Sequence, residues 1–145
     1  MYEELKYWYL RDHKLFWTLN GSQLKQLCII TGFKKAKKGE IIYFSSSELP
    51  RVFLLKKGNI KIVSVDEDGN ETIKDIIQKG DLFGELELDS DKNSNEYAKA
   101  LTDEIIICSF LLSDFENLLL EHPSLALSYT KFVGLKMKRI KNNYA

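Results

Sequence analysis

Chemistry in this sequence concentrates between Asp66 and Leu88, and the residue types there suit holding a small molecule. Gly84 follows the apolar pair Leu82-Phe83 and precedes Glu85-Leu86. A glycine leaving a strand lets backbone approach a bound ligand closely. A helix opening just after it would point free N–H groups outward, which favours phosphate or another anion. Glu85 could accept hydrogen bonds from sugar hydroxyls. A phosphate held there would also want a cation from the strand opposite.

Other chemistries find little footing. Ser113-Asp114 reads as a helix cap, and neither a Gly-x-Ser-x-Gly elbow nor a glycine-rich P-loop occurs. Cys28 and Cys108 sit far apart in apolar runs and read as buried free thiols. The two histidines, His13 and His122, have no second ligand at useful spacing. No catalytic residue and no metal site is expected, so the chain reads as a non-enzyme.

The elements that must position Gly84 and its neighbours follow from periodicity. Aromatic residues between Tyr2 and Trp17 suggest one or two short packed helices. Ser22 is expected to cap a further helix carrying Leu24, Leu27 and Cys28. From Phe33 to Phe110 the pattern is of short strands: 41–44, 52–55, 60–65, 72–77 and 105–110. Turns at Lys57-Gly58-Asn59, Asp66–Asn70 and Lys79-Gly80-Asp81 separate them. Lys34, Lys35, Lys37 and Lys38 read as a solvated loop. Residues 89–96 read as a polar loop, often a functional one inside a compact domain.

After Phe110 the period becomes helical. Ser113 with Glu116 forms a capping-box pattern, and His122-Pro123 breaks the run. A second helix then carries Ala126, Thr130, Val133, Met137, Ile140 and Tyr144 at alternating fours and threes, a coiled-coil-like seam. Tyr129, Phe132 and Leu135 lie on an adjacent face and are expected against the strands. One helix with two apolar faces wants two partners, and the reading is a homodimer seam at Thr130, Val133, Met137, Ile140 and Tyr144.

The chain has 145 residues with 21 basic and 21 acidic side chains. That length suits one domain plus an appended helix. Zero net charge makes it a poor nucleic-acid binder by itself. No apolar stretch is long enough to cross a membrane, and charges run through the first dozen residues, so a cytoplasmic protein with no membrane partner is expected.

Gly80-Asp81, Leu82-Phe83 and Gly84-Glu85-Leu86 together closely resemble the cyclic-nucleotide-binding domain of the CRP/FNR regulators. Gly39-Glu40 and Lys57-Gly58 sit at that family's turn glycines. Leu119-Leu120-Glu121-His122-Pro123 matches its junction between roll and dimer helix. The resemblance covers about residues 22–142. It implies a mainly β fold with flanking helices: an antiparallel double-stranded β-helix of jelly-roll type followed by a long C-terminal dimer helix. Residues 1–32 would be N-terminal helices, 33–110 the roll, and 111–145 the C-terminal helices.

The resemblance implies the ligand-sensing and dimerisation half of a bacterial transcription regulator, with Gly84, Glu85, Leu86, Ser94 and Asn95 around a small-molecule effector. DNA and RNA polymerase would be engaged only through the full-length regulator, whose helix-turn-helix domain is expected after residue 145. The implied effector is a cyclic nucleotide, yet the sequence departs from that pattern. Nucleotide-binding members carry an arginine and a small hydroxyl residue about ten residues beyond the Gly-Glu; here that region is Asn93-Ser94-Asn95-Glu96. The nearest cations are Lys92 and Lys99, Glu87 replaces a glycine, and base-contacting positions fall near Ile140 and Lys141. The expectation is that cyclic AMP is not bound in the usual way. The alternatives are a stand-alone sensor domain or a cyclic-nucleotide-binding module of a signalling protein, and the latter would keep the arginine. A cupin-like enzyme would place histidines on its strands, and none lies between His13 and His122.

Overall fold

A computed structural model describes the backbone of residues 2–44, 50–84 and 95–144, and the side chains of residues 7–42, 50–84 and 95–134. Contacts divide the chain into two compact units, residues 30–113 and residues 1–29 with 114–145.

The first unit is the expected jelly roll. Its strands are β1 (Gly32–Ala36), β2 (Ile41–Phe44), β3 (Arg51–Lys57), β4 (Ile60–Val65), β5 (Glu71–Ile77), β6 (Leu82–Gly84), β7 (Asn95–Ala100) and β8 (Ile105–Leu111). They form two four-stranded sheets, ordered β1-β8-β3-β6 and β2-β7-β4-β5. Every pairing is antiparallel. The core between them holds Ile42, Phe53, Leu55, Ile60, Ile62, Ile77, Phe83, Ala98, Ile105 and Ile107. Phe53 and Phe83 stack with ring centroids 5.0 Å apart.

The two sheets differ in burial, and the sequence shows why. In the first sheet Val52, Leu54, Cys108 and Phe110 are buried as well as the core-facing Phe53, Leu55, Ile105 and Ile107. Both faces are covered, so β3 and β8 read as continuous apolar runs. In the second sheet β7 alternates Ala98 and Ala100 inward with Tyr97 and Lys99 outward. Lys34 and Lys35, expected in a loop, belong to strand β1 and pair with Ile107 and Ile106 of β8. β1 is an edge strand, where lysines blunt further pairing.

Tight turns fix the register. At Gly58 (φ +92°) a side chain would meet the Glu104 carbonyl and Ile105 Cδ1, both at 2.5 Å. Gly80-Asp81 clamps onto β3: Gly80 N donates to the Leu55 carbonyl and Leu55 N to the Asp81 carbonyl. Buried Asp81 accepts the Gln78 N–H through Oδ2 at 2.9 Å.

The second unit is helical: α1 (Tyr2–Asp12), a 3-10 turn (Lys14–Phe16), α2 (Gly21–Ile30), α3 (Leu112–Glu121) and α4 (Pro123–Tyr144). Buried His13 caps the 3-10 turn, its Nδ1 accepting from Leu15 N at 3.1 Å. The cap of α2 is Asn20, not Ser22. Gln23 N donates to Asn20 Oδ1 and Asn20 N to Gln23 Oε1, both at 2.8 Å, a reciprocal capping box. Ser113 likewise lies inside α3, which begins at Leu112 straight from β8. Leu112 N donates to the Pro50 carbonyl. Pro123 opens α4 as expected, with the His122 carbonyl accepting from Leu125 and Ala126.

Candidate functional site

The cassette leaves the first sheet at Gly84, paired with Val52 of β3, and enters the second at Asn95, paired with Val65 of β4. Gly84 and Asn95 thus bracket the segment 85–94 from opposite sheets. Glu85, Leu86 and Ser94, with Glu87 and Lys92, lie outside the described residues. Gly84 has a fold-level reason to be glycine. Its φ is +112°, and a Cβ would stand 2.4 Å from the Arg51 carbonyl and 3.2 Å from the Phe53 ring. The backbone approach expected toward a ligand is already made toward β3.

Of the polar loop read over 89–96, Asn95 and Glu96 instead open strand β7, and 89–94 lie outside the described residues. Asn95 is exposed, and Glu96 shares the inward side of the sheet with Ala98 and Ala100. Glu96 pairs in register with Ser64, and Ser64 with Thr72. Lys74 of β5 forms an ion pair with Glu96, whose side chain is only 15% exposed. Lys74 is a cation that sequence reading missed. It reaches the cassette's end because β5 pairs with β4 past a bulge between Ile62 and Val63, a register the sequence does not announce. Lys99, by contrast, lies on the outward side with Tyr97. Tyr97 donates to Glu71 Oε1 at 3.0 Å, and that hydrogen bond, with some desolvation, raises its phenol above the usual range.

On α4, Thr130 is exposed and its Oγ1 donates to the Ala126 carbonyl at 2.9 Å, while Val133 is half-buried. Leu127 is 57% exposed. Met137, Ile140 and Tyr144 continue the helix, but their side chains lie outside the described residues. On the adjacent face Tyr129 meets Phe115 of α3 edge-on at 5.4 Å, and Phe132 meets His13 at 5.5 Å, while the Leu135 side chain lies outside the described residues. His122 is the expected helix-end residue, with Nδ1 3.3 Å from Gln23 Nε2. Cys108 is buried, but Cys28 is only half-buried.

The aromatic N-terminus is only partly packing. Phe16 is fully buried, whereas Trp17 is 65% exposed and Trp8 carries the Arg11 guanidinium 5.1 Å above its ring. A groove of about 660 Å³ runs among Tyr7, Arg11, Phe16, Trp17, Leu19 and Leu24. Among the described residues no group of three His, Cys, Asp or Glu side chains is arranged to hold a metal, and no helix is long and apolar enough to cross a membrane.

A family model described as "Cyclic nucleotide-binding domain" matches residues 33–122, the roll and the helix after it. The chain belongs to the cyclic nucleotide-binding domain family. Its relatives include CRP/FNR-type regulators, as the cassette implied. It is 25% identical over 127 residues to the "Probable transcriptional regulator flp" of Lacticaseibacillus casei, covering 88% of this chain and 57% of that protein. It is 27% identical over 122 residues to the fumarate and nitrate reduction regulatory protein of Yersinia pestis, covering 83% and 48%. It also matches the lysophospholipase NTE1 of Chaetomium globosum, 22% identical over 102 residues, which are 70% of this chain and 7% of that one. The chain therefore spans about half of each regulator and a small part of the lysophospholipase. In fold it is similar to the sensor domain of the transcriptional regulator DNR from Pseudomonas aeruginosa, with a TM-score of 0.74, 20% identity, and 97% and 94% of the two chains covered.

Proposed function

We propose that residues 1–145 are the effector-sensing and dimerising domain of a CRP/FNR-type bacterial transcription regulator, acting in the cytoplasm and not as an enzyme. One observation carries this reading: a cyclic nucleotide-binding roll is followed, through α3, by the 22-residue α4 with its 126/130/133 side not fully buried. In its support, the two regulators match over 122 and 127 residues, whereas the lysophospholipase match spans 102.

The effector sits against Gly84, Glu85, Leu86, Ser94 and Asn95. It is not a cyclic nucleotide held in the usual way. The stretch where an arginine would be expected reads Asn93-Ser94-Asn95-Glu96, and Lys74, near the cassette's end, is engaged by Glu96. Two copies meet along α4 through Thr130, Val133, Met137, Ile140 and Tyr144. The full-length regulator engages RNA polymerase, and it engages DNA through a helix-turn-helix domain outside residues 1–145; no membrane is involved. Calorimetry with cyclic AMP and cyclic GMP tests the effector reading. No micromolar binding is expected, and micromolar binding of either would overturn it. A gel shift showing sequence-specific DNA binding by residues 1–145 would contradict the division of labour.

A further inference from the structure

The outward face of the second sheet carries an arrangement that neither effector binding nor dimerisation uses. Ile41 of β2 pairs with Lys99 of β7, Lys99 with Lys61 of β4, and Lys61 with Ile76 of β5. These four residues form one row across all four strands. Their chain neighbours Ile42, Ala98, Ala100, Ile60, Ile62 and Ile77 are buried on the other side, so the row faces outward. Ile41 is 46% exposed and Ile76 43%, with Ile73 of β5 close by at 58%. Between the isoleucines stand two lysines directly opposite each other. Like charges in that relation destabilise a sheet. Neither lysine has an ion-pair partner among the described residues.

We propose that this row docks an acidic amphipathic helix of a partner protein, laid across the strands with its carboxylates on Lys61 and Lys99 and its apolar residues on Ile41 and Ile76. The dimensions fit. Strands lie about 4.8 Å apart, so the lysines are one spacing apart and the isoleucines three, about 14 Å. On a helix rising about 1.5 Å per residue, carboxylates at i+4 and i+7 are about 4.5 Å apart, and leucines at i and i+11 about 16 Å. All four share one helix face. The partner supplies negative charge opposite the lysine pair, and the lysine stems extend the apolar floor.

The test uses residues 1–145 and labelled helical peptides of pattern Leu-x3-Glu-x2-Glu-x3-Leu, read by fluorescence anisotropy. The glutamate peptide should bind saturably, about tenfold or more tighter than its glutamine version, and weaken several-fold as salt rises from about 50 to about 300 mM. The double variant Lys61→Glu/Lys99→Glu should lose the glutamate peptide and gain a lysine version of it, with its melting temperature showing that it folds. Equal binding of the glutamine peptide, or no recovery in the charge-swapped pair, overturns the proposal. So does self-association that Ile76→Glu abolishes, or tighter attachment to vesicles rich in anionic lipid.

Discussion

Replacing Gly84 by alanine separates a fold requirement from a ligand requirement. At φ +112° a side chain is strained whatever the surrounding space, at about 1–3 kcal/mol. The new Cβ would also lie 2.4 Å from the Arg51 carbonyl, which belongs to paired backbone and cannot swing aside. Overpacking of that kind adds about 1–3 kcal/mol. Gly39→Ala is the control, since its φ is +90° but nothing lies within 4 Å of a Cβ there. Gly84→Ala should therefore cost about 2–6 kcal/mol, and clearly more than Gly39→Ala. Urea unfolding followed by circular dichroism, with no ligand added, measures both. If Gly84→Ala costs less than about 0.5 kcal/mol, or no more than Gly39→Ala, then the glycine does not serve the β3–β6 contact and the argument from close approach fails.

Three further outcomes follow from single contacts. Asn20→Ala removes half of the reciprocal cap of α2 and should cost about 1 kcal/mol, while Ser22→Ala should be near neutral, both read by thermal melting. Phe110→Ala empties a fully buried site and should cost about 3–5 kcal/mol in denaturant unfolding, whereas Trp17→Ala, at a side chain 65% exposed, should stay near neutral. The hydrogen bond and charge of Lys57 hold the Glu104 carboxyl below its usual range. A carboxyl lowered on folding stabilises above its unfolded pKa and loses that contribution as pH falls through the folded value. Lys57→Ala should therefore raise the Glu104 titration midpoint, read by NMR of the side-chain carboxyl, and an unmoved midpoint would discount the pair.

Legibility in the sequence tracked burial. β3 and β8 were plain because both their faces are covered, leaving unbroken apolar runs at 52–55 and 105–110. β1 was hidden by the lysines that suit an edge, and β7 as a whole was hidden because its buried residues are only the small Ala98 and Ala100 among polar neighbours. The Asn20-x-x-Gln23 cap was visible in the residues, yet the adjacent Gly21-Ser22 drew the cap two residues too late. Gly84 stands out in the sequence as a point of close backbone approach, but the partner it approaches, the Arg51 carbonyl, depends on a strand pairing distant in sequence. Lys74 was out of reach for the same cause: only the paired register of β5, β4 and β7 brings it to Glu96.

Central to the account is that α4 joins two copies of a sensing roll. Sedimentation equilibrium of residues 1–145 beside the variant Thr130→Glu/Val133→Glu tests this most directly. Both positions lie on α4 at seam spacing, and neither is fully buried. The account predicts a dimer at concentrations of about 10 µM for the parent chain and a folded monomer for the variant, since like charges brought together across a seam cost affinity. A parent chain that stays monomeric, or a dimer that the two glutamates leave intact, would contradict it.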